Sequence, residues 1–187
     1  ANSVWLQCTH DQKDADFGTT KMNKQITYRD ACYYDFLKNH QFQFPLQNIY
    51  NHDPVYGKEG TGMNLNTATD EDFQNYLYML STRGTAFWEL YYSDSIMTDG
   101  KYEITGEFLE WAEKSYHMLK NSKMIGGMPD KTSLGSATSD ASKAEAYGFS
   151  CFDGKDGIIS LRNPSATENK AITFTFDRTI GVSENAG

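Results

Sequence analysis

A chain of 187 residues is long enough to bury a core, and its length suits one domain or one and a fraction. Its net charge of −8, with no Lys/Arg stripe to release counterions, argues against the phosphate backbone, so nucleic acid is not an expected partner. No apolar run approaches the roughly 20 residues a spanning helix needs, so no membrane span is expected.

In chain order, Ser3-Val4-Trp5-Leu6-Gln7-Cys8 reads as a short strand that runs into the polar segment His10 to Asp16. A strand emptying into an acidic loop is site-like geometry. From about Thr27 to Asn39, Tyr28, Ala31, Cys32 and Phe36 recur at the spacing of one buried helical face. Phe44 to Tyr50 reads as a second strand with Pro45 near its start, followed by the loop Asn51-His52-Asp53-Pro54-Val55-Tyr56-Gly57 and a Gly-rich stretch to Thr69.

Thr69 is an N-cap with Asp72 as its capping-box acid, and Phe73, Tyr76, Leu77 and Leu80 follow at i, i+3, i+4 and i+7. Arg83-Gly84 ends this helix. Thr85 to Tyr92 is then a nearly continuous apolar run, as in a strand buried on both faces of a parallel sheet. A further helix is predicted from Thr105 to about Asn121, with Phe108, Trp111, Ala112, Ser115 and Leu119 on one face and Gly126-Gly127 as its stop.

The order β-α-β-α-β-α is the rhythm of a βα barrel or a doubly wound sheet, and three units cannot close a barrel. Residues 128–144 are rich in Ser, Thr and Gly without periodicity and read as a loop or linker. Beyond them, Ala146 to Phe152, Ile158 to Asn163 and Ala171 to Phe176 read as three strands of an antiparallel meander. The expected fold is therefore α/β followed by β: the last βα units of an incomplete TIM-type barrel over 1–127, a linker over 128–144, and an antiparallel β segment over 145–187.

Cys8, Cys32 and Cys151 lack CxxC spacing and have no nearby His pair, so no metal site is expected, and their odd number disfavours a disulfide framework. Buried thiols are expected, with one disulfide left open. Ala1-Asn2-Ser3 carries neither a charged n-region nor an apolar h-region, and without an initiator Met we read the start as a processed or constructed end of a longer parent.

These residues resemble the glycoside hydrolase clan of the α-galactosidases and α-N-acetylgalactosaminidases, whose members carry a βα barrel followed by an antiparallel β domain. Asn51-His52-Asp53-Pro54 looks like the family's Trp-Asn-Asp-Pro-Asp loop after the seventh strand. Trp5-Leu6-Gln7-Cys8-Thr9-His10-Asp11 is similar to the end of the sixth strand, with Gln7 standing where the family often has Arg. Leu80 to Tyr92 looks like an eighth-strand segment from large bacterial proteins of this group, and Gly154 to Pro164 resembles the first strand of the C-terminal domain's main sheet.

The resemblance implies a retaining mechanism, in which two carboxyl groups lie about 5–5.5 Å apart, one as nucleophile and one as acid/base. Asp11 takes the acid/base position, where an apolar wall such as Trp5 or the neighbouring nucleophile would raise its pKa; otherwise it is a solvated loop acid beside Asp14 and Asp16. The family's nucleophile sits on an earlier strand, so this chain is expected to hold half of the pair and to be inactive alone. His52 and Asp53 fall where the family lines its sugar pocket, and Trp5 and Glu89, at the strands' catalytic ends, are the further candidates for substrate binding. His52 and Asp53 equally suit a turn anchor, and Glu89 equally suits an interior carboxylate paired with a base such as Arg83. Aromatic residues make up 14% of the chain, and ring faces pack on pyranose C–H faces as readily as they build cores. For Trp88 and Trp111 the core is expected.

A glycan is thus the implied substrate, no cofactor is required, and the implied parent is secreted or periplasmic. A half barrel would expose strand edges, so self-association is expected. A non-catalytic carbohydrate-binding or scaffolding domain, and an unrelated small α/β protein, are the alternatives.

Overall fold

The computed structural model describes residues 4–6, 21–39, 44–51, 54–56, 68–85, 87–129, 144–165 and 168–183. Helix α1 spans Lys21–Tyr34 and continues as a π-helical turn over Asp35–Asn39. It starts earlier than the spacing from Thr27 predicts, and it buries Ile26, Ala31, Cys32 and Tyr33.

Helix α2, Asp70–Thr82, forms where its start signal predicts. Asp72 N donates to Thr69 Oγ1 at 3.0 Å, and Thr69 N donates to Asp72 Oδ2 at 3.4 Å, so two amides at the helix start are satisfied reciprocally. Asp70, Glu71 and Asp72 place negative charge on the positive end of the helix dipole. Phe73, Tyr76, Leu77 and Leu80 are all buried.

Helix α3, Asp99–Leu119, starts six residues before Thr105. Thr98 is its cap, accepting from Lys101 N at 3.2 Å. Thr105 sits inside the helix and returns its hydroxyl to Lys101 O at 2.8 Å, the bond that lets a hydroxyl residue be tolerated there. Phe108, Ala112, Ser115 and Leu119 form the buried face. Helix α1 packs on α2, and α2 on α3.

The strands β1 (Val4–Leu6), β2 (Ile49–Asn51) and β4 (Phe87–Trp88) run parallel and lie side by side in chain order. A second parallel pair joins β3 (Val55–Tyr56) to β5 (Tyr91–Tyr92). The single strand expected over Thr85 to Tyr92 is thus two strands of two residues each, broken at Glu89-Leu90. Two short parallel sheets, rather than a barrel wall, are what the described residues form.

An antiparallel sheet follows, in the order β6 (Lys123–Gly126), β7 (Tyr147–Phe152), β8 (Gly157–Arg162). The expected hairpin is present, pairing Tyr147↔Arg162 through Phe152↔Gly157. The third strand differs. Ala171 to Phe176 forms no ladder; Ile172, beside Gly126 of β6, and Phe174 are half-buried, and the Phe174 and Phe176 rings meet edge to face at 5.6 Å. The third strand comes instead from Lys123–Gly126, just after α3, so residue 127 falls between two paired strands of one sheet. The architecture is α/β followed by an antiparallel β sheet, and one buried cluster runs through Phe73, Tyr76, Phe108, Met124, Tyr147, Phe149 and Cys151.

Inside this cluster lies a charged knot. Asp30 on α1 accepts from Arg83 Nε at 2.6 Å and from the Tyr147 hydroxyl at 2.5 Å, and all three side chains are fully buried. The Arg83 guanidinium also lies over the Tyr33 ring, 5.4 Å from its centroid. Arg162 Nη2 donates to Thr27 Oγ1 at 3.0 Å, one turn before Asp30. A buried carboxylate persists only where such partners offset its lost hydration.

Candidate functional site

The parallel strands end level with one another: Leu6 pairs with Asn51, and Asn51 pairs with Trp88. In open α/β sheets the crevice beyond the carboxyl ends of the strands is where ligands bind. Glu89 follows Trp88 at this end and is half-buried.

The pairing then resumes with Val55↔Tyr91. From Asn51↔Trp88 to Val55↔Tyr91 the register shifts by one residue. Tyr91 N donates to Pro54 O at 3.0 Å and to Glu89 O at 2.9 Å, and Ser93 N donates to Tyr56 O at 2.9 Å. The break that holds Glu89 is therefore fixed by main-chain bonds on its far side.

Beneath the break, Tyr56 is buried edge to face against Phe73 at 5.0 Å, and Phe73 meets Tyr92 at 5.6 Å. Burial, with the nearby Asp70 and Asp72 charges, pushes the Tyr56 phenol above its ordinary pKa. Burial does the same for Tyr92, whose hydroxyl lies 3.4 Å from Thr105 Oγ1. Both phenols stay neutral near pH 7. Tyr91 is 61% exposed at the same rim. Sequence reasoning passed over it, because a run taken as one buried strand gives no sign of a residue turned outward.

Of the residues singled out from the sequence, Glu89 lies at the strand end and Trp5 is the middle residue of β1, level with Tyr50. Asp11, His52 and Asp53 lie outside the described residues. Arg83, the base suggested as a partner for Glu89, gives its Nε–H to Asp30. Trp88 packs on Phe108 at 5.4 Å and Trp111 on Tyr78 at 4.7 Å, so both indoles belong to the packing with the helices. Among the described residues no group of three His, Cys, Asp or Glu is placed to hold a metal ion. None of their helices is long and apolar enough to cross a membrane. Cys32 and Cys151 are buried.

Compared with family models, curated proteins and solved structures, the chain matches none.

Proposed function

We propose that this chain is the C-terminal part of a retaining glycoside hydrolase acting on α-galactoside-like glycans, with the parallel strands as the last βα units of a TIM-type barrel. The observation that carries the reading is the level ending of β1, β2 and β4, three parallel strands in chain order. The segments bearing Asp11, His52-Asp53 and Glu89 each follow one of these ends in sequence. In a (β/α) barrel the loops at that end carry the chemistry.

In this reading Asp11 protonates the leaving oxygen and later takes a proton from water, while an upstream carboxylate supplies the nucleophile. Trp5, His52, Asp53 and Glu89 contact the sugar. The parent is secreted or periplasmic, and the outer edges of β1 and β4 lead this chain to self-associate.

The reading is tested by titrating the chain with galactose, N-acetylgalactosamine and glucose while observing saccharide saturation transfer by NMR. Binding of the first two, weakened roughly tenfold or more by Glu89→Gln, is the expected result; indifference to all three sugars counts against it. Light scattering on the same sample tests self-association, and a monomer at all concentrations contradicts it.

The second reading, a non-catalytic carbohydrate-binding or scaffolding domain, is favoured by Gln7 where the family often has Arg. Saccharide binding without turnover in the full-length protein would select it.

A further inference from the structure

We infer that the antiparallel sheet braces the corner between α2 and β4, and through that corner holds the strand end that carries Glu89. Thr82 O, at the end of α2, accepts from Ser122 Oγ at 2.5 Å and from Cys151 Sγ at 3.3 Å. The next residue, Arg83, is bound to Asp30, whose other oxygen is held by Tyr147 of β7. Gly84 then turns the chain at φ +75°, and a Cβ there would lie 2.6 Å from both Leu119 O and Ser122 Cβ. The corner is thus gripped from β7 at two points and from Ser122, which leads into β6.

The strand it feeds has little ladder of its own. Among the described residues strand β4, two residues long, pairs with β2 at Tyr50↔Phe87 and Asn51↔Trp88, whereas β7 and β8 pair over six positions. A ladder this short contributes little against the conformational entropy of its own residues, so its placement depends on its anchored start together with the packing of Trp88 on Phe108 and Tyr92 on Phe73. Loosening the corner should free β4 and β5 while the β7–β8 hairpin stays closed. Tyr147 and Ser122 are therefore positioning residues for the rim around Glu89. The inference does not depend on the glycosidase reading.

Amide hydrogen exchange on the intact chain tests it, using Tyr147→Phe and Ser122→Ala, each of which removes one donor and little volume. The expected result is exchange at Tyr91 and Ser93 faster by roughly tenfold or more, and accelerated more than at the β7 and β8 amides. Equal acceleration at every protected amide, or none at Tyr91 and Ser93, overturns the inference. If Tyr147→Phe does not fold, Ser122→Ala decides by the same criterion.

Discussion

The Tyr147 hydroxyl donates to Asp30 Oδ2 at 2.5 Å across 117 residues of sequence, tying the antiparallel sheet to the first helix. Its energetic weight follows from burial. Asp30, Arg83 and Tyr147 are all shielded from water, so a partner removed here leaves a polar group that water cannot reach.

Asp30→Ala is therefore expected to destabilise the fold by about 3–5 kcal/mol, because the Arg83 charge remains buried without its carboxylate. Tyr147→Phe is expected to cost about 1–3 kcal/mol, since Asp30 keeps Arg83 and loses one donor. Urea denaturation of the two variants checks the order. Equal midpoints for both variants and the parent chain would show the knot to be energetically idle.

Acid should act first at the surface turns. Two amide donors, of Lys155 and Asp156, hold the Asp153 carboxyl below the usual carboxylate range, with His117 adding to the effect; the Thr179 hydroxyl and amide do the same for Asp177. A carboxyl lowered on folding contributes stability that is present above its unfolded pKa and lost as pH falls through the folded value. Asp30 has the opposite sign: desolvation raises it, against the pull of Arg83 and Tyr147, so its contribution to stability fades as pH rises through its folded pKa. On lowering the pH through the carboxylate range, the amides of Lys155, Asp156 and Thr179 should lose protection before those of α1. NMR-detected exchange across that range would contradict this if α1 opened first.

Burial holds the Cys151 thiol up at about 11, and its Sγ donates to Thr82 O. Thiolate is the reactive form, so this residue should resist thiol reagents near pH 8 in the folded chain and react at the rate of unfolding. Labelling followed by peptide mapping checks this; rapid modification of folded protein would place Cys151 outside the core.

Gly84→Ala should destabilise by roughly 2–4 kcal/mol, combining the left-handed backbone penalty with overlap against Leu119 and Ser122. Gly154→Ala shares the positive φ but has nothing within 4 Å of the new Cβ, so it should cost less than half as much. Thermal melts of the pair separate backbone strain from packing.

What the sequence showed and what it hid divide along physical lines. Helix α2 was legible because its cap, capping-box acid and apolar period all lie within a dozen residues of each other. The start of α3 was not, since Thr98 and Thr105 are equally good caps locally and only the observed hydrogen bonds assign one to the cap and one to the interior. Strand β6 has four residues, too few for a period of two to stand out, while Ala171 to Phe176 alternates strictly yet joins no ladder. The Asp30–Arg83–Tyr147 knot left no local trace, because its members are far apart in the chain. At the candidate site the alternation of strands and helices was legible, whereas the break at Glu89-Leu90 was hidden in a run read as one strand.

The most direct test of the proposed function is turnover of aryl α-galactoside and α-N-acetylgalactosaminide by the full-length protein, with Asp11→Asn beside it and the anomer of the first product followed by NMR. The account predicts hydrolysis with retention, lost in the variant while substrate still binds. No turnover on either sugar, or turnover that survives Asp11→Asn on a substrate with a poor leaving group, would contradict it.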